Sequence, residues 1–437
     1  MLKTLMNAFK IKELRNKILF TFAMIVVIRL GSQLPVPGVD RSFFAAWFAA
    51  QSGDAFNFFD AFTGGSFMNM SIFALNISPY ITSSIIMQLM TIAIPKLEEM
   101  QKDGEEGRKK IASITRYVTV GLALIESAAM AIGFGRSGLL QEYNAINVII
   151  VIAALTAGSA VVMWIGERIT EHGVGNGISI VLAVNILSRL PQDMTGLYEQ
   201  FIKGKSIAGG AVAAIIILAI MLAMIILVIV LNGGVRKIPV QYAKKVQGRK
   251  IVGGQSSSIP LKVNTAGVIP IIFASSIMET PNVICALFGI TGSGVWGEIL
   301  KGMSSSNWCR LDAPQYSIGL LVYILMVIFF AYFYTSITFN PLEISENMKK
   351  QGGFVPGIRP GRPTCDYLNK ILNYIIFIGA CGLTIIGILP FIFNGLFGAS
   401  VSFGGTSLII IVSVILETVK QIESQMLVRN YTGFLND

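Results

Sequence analysis

The groups able to do acid–base, metal or covalent chemistry are few in this 437-residue chain, and none falls in a catalytic arrangement. The single histidine, His172, stands outside any His-Glu-x-x-His pair, which argues against a zinc site and a Ser–His intramembrane protease alike. No Gly-rich loop ending in Gly-Lys-Ser/Thr is present to cradle nucleotide phosphates, and no Gly-x-Gly-Asp marks an aspartyl intramembrane protease. Cys285, Cys309, Cys365 and Cys381 show neither paired metal-ligand spacing nor a disulfide framework. The chain is therefore expected to be no enzyme and to need neither metal nor cofactor. Glu126, Glu279 and Glu417 fall within or near apolar stretches, where an ion-coupled transporter of a small solute would carry its carboxylates. Pro281 is a candidate break just after Glu279, and Glu417 lies one turn before Lys420, which would bring both near water. Without basic partners, all three read as helix-end or packing residues before they read as a proton relay.

The charge that does cluster is basic. Residues 232–264 hold Arg236, Lys237, Lys244, Lys245, Arg249, Lys250 and Lys262 without one Asp or Glu. Strand-like pieces at Val235–Val246 and Ile251–Val252 flank Gln247-Gly248, the pattern of an exposed hairpin. Residues 338–370 repeat the theme with Lys349, Lys350, Arg359 and Arg362, among Pro356, Pro360, Pro363 and four glycines that favour a stiff, turned loop. Such loops fix topology and touch anionic lipid. Their length, and the Pro and Gly residues that set the backbone around Arg359, also suit docking to a large acidic or RNA-bearing partner.

These loops are set between apolar blocks. Hydrophobic residues make up 53% of the chain and charged ones 13%, well below the usual quarter. Mean hydropathy is +0.68. A soluble enzyme, a secreted disulfide scaffold and a disordered chain are all excluded. Ten bilayer-crossing helices are predicted, near 18–34, 71–93, 111–134, 146–166, 174–190, 207–231, 265–288, 316–337, 371–393 and 404–425. The connections on the side of the N-terminus carry 25 Lys and Arg against 7 on the other side, which predicts both termini in the cytoplasm. With no small-residue cleavage site after its first apolar run, the N-terminus is expected to stay attached. Residues 54–70 are aromatic and moderately apolar but include Asp54, Asp60 and Gly64-Gly65. Counting them as an eleventh span weakens the charge asymmetry, so they are expected to dip in as a short re-entrant helix inside a protein cavity.

Six stretches carry a likeness to a known family. They are Arg29–Asp40, Gly64–Leu89, Met163–Ile180, Ile238–Ser276, Phe339–Gly361 and Phe403–Ile410. Together they resemble, along nearly the whole chain, the SecY family, the pore-forming subunits of the bacterial Sec protein translocase. The resemblance implies an all-α polytopic protein of ten transmembrane helices in two pseudo-symmetric inverted five-helix halves. Residues 1–190 would form the N-terminal half, 191–264 the sixth span with its basic loop, and 265–437 the rest of the C-terminal half. It implies a protein-conducting channel that moves unfolded secretory polypeptides across the plasma membrane and releases membrane segments sideways into lipid.

Site residues follow from the same likeness. A ring of aliphatic side chains would be Ile77, Ile81, Ile178, Leu182, Ile272 and Ile410. Ile81, Leu182, Ile272 and Ile410 lie about 9–15 Å from their span ends, near the midplane. Isoleucine in a membrane helix most often faces lipid or packs, so only the likeness makes these six a gasket. The plug would be about Phe58–Met68, with Phe58, Phe59, Phe62, Gly64, Gly65 and Phe67. The lateral gate would lie between spans two and three and spans seven and eight, with Gln88 and Asn264 as a bridging contact or as packing glue elsewhere. Arg249, Lys250 and Arg359 would dock the SecA ATPase and the ribosome; SecE and SecG would complete a heterotrimer in lipid, and signal-sequence-bearing polypeptides would be the clients. Asn69 departs from the basic residue common there, Leu182 replaces a frequent Ile, and the outer loop with Trp308 and Cys309 matches nothing in the pattern.

Overall fold

A computed structural model describes residues 6, 8–44, 46, 60, 63–135, 138, 140, 142–203, 207–242, 245–247, 250–252, 256–288, 294–310, 313–397 and 405–433. Among them, ten helices occupy the ten predicted stretches. They are α1 (Lys12–Gly31), α2 (Ser78–Ala93), α4 (Glu105–Phe134), α5 (Ala145–His172), α6 (Gly177–Phe201), α7 (Ile207–Gly233), α8 (Ile269–Phe288), α10 (Ile318–Thr338), α12 (Arg362–Phe397) and α13 (Gly405–Gly433). Shorter helices α3 (Pro95–Lys102), α9 (Val295–Met303) and α11 (Pro341–Lys350) sit in the connections. By length and composition alone α4, α5, α7, α10 and α12 can each cross a bilayer, and α2 with α3 forms a pair bent by 107°. Pro95 drives that bend, because the residue before a proline is pushed out of helical geometry, and Ile94 is extended. The polar residues of α1 and α6, Arg29, Asn185, Ser188 and Arg189, find partners inside the protein rather than in lipid.

Several ends differ from expectation. The tenth predicted span becomes a helix of 29 residues, and α12 starts at Arg362 rather than near 371. Hydropathy marks the part in lipid, while the helix continues into the connection. Pro363, expected in a turned loop, lies in the first turn of α12, where a missing N–H costs nothing. Pro281 does not break α8; it removes one bond to the preceding turn and the helix runs on. Pro191 is likewise carried inside α6, which passes residue 190 and ends at Phe201.

The largest difference lies at the second span. Helix α2 begins at Ser78 rather than near 71, and residues 64–70 run as successive turns rather than as a helix through Met68. Gly64 and Gly65, at φ 66° and 84°, hold the left-handed backbone that ends regular structure there. This strand of turns is stitched to the loop after α1: the Ile72 amide donates to the Leu34 carbonyl at 2.9 Å, and Val36 to Met70 at 3.1 Å. From α5, the Ser159 hydroxyl donates to the Asn76 carbonyl at 3.0 Å. Gly158 lets the two backbones meet, since a Cβ there would stand 1.9 Å from the Ile72 oxygen.

One apolar core gathers Phe44, Phe67, Met130, Phe134 and Leu155 around this segment, and a second joins Ile28, Phe73, Ile77, Ile165 and Ile180. A third core collects Met224, Val228, Ile271, Tyr323, Val327, Ile386 and Ile409 from α7, α8, α10, α12 and α13. Outside the helices, β1 (Val235–Tyr242) pairs antiparallel with β4 (Ser256–Lys262), and β2 (Lys245–Gln247) with β3 (Lys250–Val252). The hairpin read from sequence is thus present.

Gly158→Ala is expected to destabilise the protein by about 1–3 kcal/mol, because two backbones would have to separate. Gly121→Ala, on a helix with open space at its Cα, is expected to be neutral or slightly stabilising. Thermal unfolding of the two variants in detergent checks the contrast, and equal midpoints would contradict the close approach.

Candidate functional site

The six aliphatic positions are placed by four helices. Ile77 is the N-cap of α2, only 1% exposed, and packs with Phe73, Val162, Ile165 and Ile180. Ile81 and Ile178 are half-buried on the same cluster. Ile410, buried on α13, packs with Ile186 and Ile411, and Leu182 rests half-buried on that second cluster. Val414 belongs to both, so the two patches are continuous. Ile272 is half-buried on α8, beside Ile271 of the third core.

Of the predicted plug, Phe58, Phe59 and Phe62 lie outside the described residues. Phe67 is buried edge-on to Phe44, with ring centres 5.6 Å apart. Its amide donates to the Thr63 hydroxyl at 3.1 Å. Around Gly64 the structure reveals a polar cluster that sequence reading missed. Asp60, fully buried, forms an ion pair with Arg189 and accepts the Met68 amide at 2.8 Å. Arg29 reaches from α1 to the Asn185 side chain and the Ser188 hydroxyl, both at 2.8 Å, and to the Gly64 carbonyl at 3.4 Å. One signal could have found it: an arginine within an apolar span, as Arg29 is, needs a partner inside the protein.

Helix α8 packs against α4, and α13 packs against α6. Gln88 of α2 lines an apolar crevice with Leu89, Phe273, Phe330, Phe333 and Tyr334, between α2, α8 and α10. Asn264 does not join it. Its amide donates to Asn232 at 2.8 Å, and Asn232 donates to Ser413 at 2.8 Å, a chain that fastens α7 to α13. Asn264, in the bend before α8, is thus placed in this link and not beside Gln88.

The two basic loops form one body. β5 (Gly353–Phe354) pairs with β1 through Gln241↔Phe354 and Tyr242↔Gly353, so the second loop adds an edge to the first loop's sheet. Alternation along β1 turns Ile238 and Val240 inward, onto Leu261, Met348, Val355, Leu368 and Ile375 from β4, α11 and α12. Asn340 caps α11 by accepting from the Leu342 and Glu343 amides. Arg359 is exposed on the turn between Gly357 and Gly361, at φ 83° and 102°, and its carbonyl accepts the Thr364 hydroxyl at 2.8 Å. Lys250 lies on β3; Arg249 falls outside the described residues.

The outer loop unmatched by any pattern is fastened down. Trp308 is 1% exposed against Tyr323 and Phe391, and its indole N–H donates to the Gly302 carbonyl at 2.8 Å. On its surface the Tyr316 hydroxyl and the Lys301 ammonium hold the Glu298 carboxyl below its usual range. Cys309 beside it has a thiol raised by burial. All four cysteines are unpaired, and among the described residues no group of three His, Cys, Asp or Glu could hold a metal. Glu126 is half-buried and Glu417 exposed, and the Glu279 side chain lies outside the described residues.

With its polar groups holding backbone and its aliphatic groups gathered between long apolar helices, this bundle is that of a polytopic membrane protein. The SecY family model matches residues 71–419. The protein translocase subunit SecY of Streptomyces galbus is 43% identical, over 100% of both chains. That of Halalkalibacterium halodurans is 42% identical, again over 100% of both. Among solved structures, one described as a protein conducting channel superposes with a TM-score of 0.62 at 16% identity, covering 94% of this chain and 93% of the other. Sec61 in a canine ribosome-channel complex gives 0.60 at 16%, with 94% and 93% covered. The chain belongs to the SecY family. The small-solute transporter alternative finds no support in these relatives.

Val240→Asp would bury a carboxylate with no partner under the sheet and cost about 3 kcal/mol or more locally. Limited trypsin digestion is expected to cut at Lys262 and Lys349 markedly faster, while the membrane helices stay folded by circular dichroism. Unchanged cleavage would contradict a core shared by the two loops.

Proposed function

We propose that the chain is the pore-forming subunit of a protein translocase, through which unfolded secretory polypeptides cross the bacterial plasma membrane and apolar segments leave sideways into lipid. The observation that carries this reading is the continuity of two aliphatic clusters through Val414, which gathers Ile81, Ile178, Leu182 and Ile410 from α2, α6 and α13. Ile77 and Ile272 complete the ring in this proposal. A passing polypeptide varies in charge and bulk, so fixed polar partners would trap some segments and reject others. Aliphatic side chains offer no hydrogen bond to hold it, and when the passage is empty a narrow apolar waist dewets and blocks ions. Residues 58–68 act as a second barrier beside it.

The moving parts are the two halves, residues 1–190 and 191–437, the second including the sixth span and basic loop of 191–264. The contacts of α8 on α4, and the crevice between Gln88 and Phe330, are where these parts separate. An apolar client segment that reaches the opening gains about 25 cal/mol per Å² on entering lipid, so sorting is mainly a partition equilibrium.

Both termini and the basic platform face the cytoplasm, following the charge asymmetry. Arg249, Lys250 and Arg359 dock the SecA ATPase or the ribosome, which supply the driving force that a chain without a nucleotide loop cannot. SecE and SecG complete the heterotrimer.

Arg359→Glu is expected to weaken docking roughly tenfold or more and to slow SecA-driven export in reconstituted vesicles. The bundle's melting should not move; full transport would refute the docking assignment. Ile81→Gly with Ile410→Gly is expected to raise resting ion conductance in planar bilayers by about tenfold or more. An electrically silent double variant would remove the ring.

A further inference from the structure

We propose that Arg29 and Arg189 are positioning residues that clasp the segment from Asp60 to Gly65 onto the N-terminal half of the bundle, an inference that rests on reading this segment as the channel's plug. Arg189 of α6 holds the segment by its charge, through the ion pair to Asp60. Arg29 of α1 holds it by its backbone, spanning from the Gly64 carbonyl to Asn185 and Ser188. The Ser188 hydroxyl also reaches the Gly64 carbonyl at 3.4 Å, and the Asn76 amide reaches the Thr63 carbonyl at the same distance.

Three features show a fitted seat rather than a chance contact. Asp60 and Asn185 are both fully buried, so neither can exchange its partner for water. Gly64 has φ +66°, and a Cβ on it would come within 2.6 Å of Arg29 and 2.7 Å of the Asn185 carbonyl. Only glycine lets the arginine approach that closely. The Asp60 carboxylate also orders the segment itself, by accepting the Met68 amide eight residues on.

Every group in the clasp comes from α1, α6 or the turns before α2. Among the described residues, none comes from α7, α8, α10, α12 or α13. When the two halves part, the segment therefore stays with the N-terminal half until the ion pair breaks. Leaving the seat parts Arg189 from the buried Asp60 and leaves it only the weaker field of Asp193, one turn on in α6, so departure is costly and the resting position is well defined. An arriving client must supply that difference.

Hydrogen exchange on the full chain in its membrane complex tests the clasp. The Gly65 amide donates to Asp60, Asn69 to Gly65 and Ser71 to Ser66, at 3.1, 3.2 and 3.0 Å, so peptides over 60–77 report on the seat directly. Asp60→Asn and Arg189→Gln are each expected to quicken exchange there about tenfold or more, with peptides from α4 and α12 unchanged. Arg189→Lys keeps the charge and is expected to stay within about threefold of the parent. Parent-like exchange in Arg189→Gln, or equal acceleration in Arg189→Lys and Arg189→Gln, would overturn the proposal. Should both single variants fail to fold, Ser188→Ala, which removes the hydroxyl that accepts from Arg29 and reaches the Gly64 and Asn185 carbonyls, gives the same readout. Resting conductance is measured in parallel and separates the two claims. Faster exchange with a rise in current supports clasp and plug together. Faster exchange with no current leaves the clasp standing and refutes the plug as a seal.

Discussion

A backbone that leaves helical geometry at bilayer depth can satisfy its N–H and C=O groups only within the protein. Residues 63–77 do this, and much of the N-terminal half is arranged around them. The loop after α1 supplies the Leu34 carbonyl and the Val36 amide, α5 supplies Ser159, and α1 and α6 supply Arg29, Asn185, Ser188 and Arg189. Gly158 and Gly64 remove the side chains that would keep those partners away. The aromatic core of Phe44, Phe67 and Phe134 then seals the arrangement, with rings edge to face. The polar residues that lower the hydropathy of α1 and α6 are thus tied to one task.

The C-terminal half relies on apolar packing instead. Its core runs from α7 to α13 with few polar links, of which the chain Asn264–Asn232–Ser413 is one. At one end Trp308 anchors the outer loop onto α10 and α12. At the other, the sheet and α11 rest on α12 through Leu368 and Ile375. The N-terminal half adds hydrogen bonds and a buried ion pair to its two apolar cores.

Much of this was legible in the sequence. Ten helices fall where long apolar runs place them, and the strand-like pieces at Val235–Val246 and Ile251–Val252 anticipate β1, β2 and β3. Helix ends were less legible, because hydropathy reports the lipid and says nothing of a helix that continues past it, as α12 does from Arg362. The late start of α2 was hidden for another reason: residues 71–77 are as apolar as a helix, but the Ile72 amide pairs with the distant Leu34 carbonyl while Ala74 and Asn76 close short turns on Ser71 and Phe73. The β1–β5 pairing is two backbone registers between segments more than a hundred residues apart, with no side-chain signature. Asn264 and Gln88 looked alike as polar residues in spans, and only the packing separates a link within one half from a side chain in the crevice. Arg29 and Arg189 were visible as charges but not as a pair around Asp60, since their meeting depends on the glycine turn between them.

The strand pairing of Gly353–Phe354 with Tyr242 and Gln241 has a mechanical meaning. It welds the arm that rises from α7 to the arm that descends into α12, so torque applied at either tip is felt by both helices at once. A load placed on this arm would turn a lever whose fulcrum is the packing of Ile238 and Val240 on Leu368.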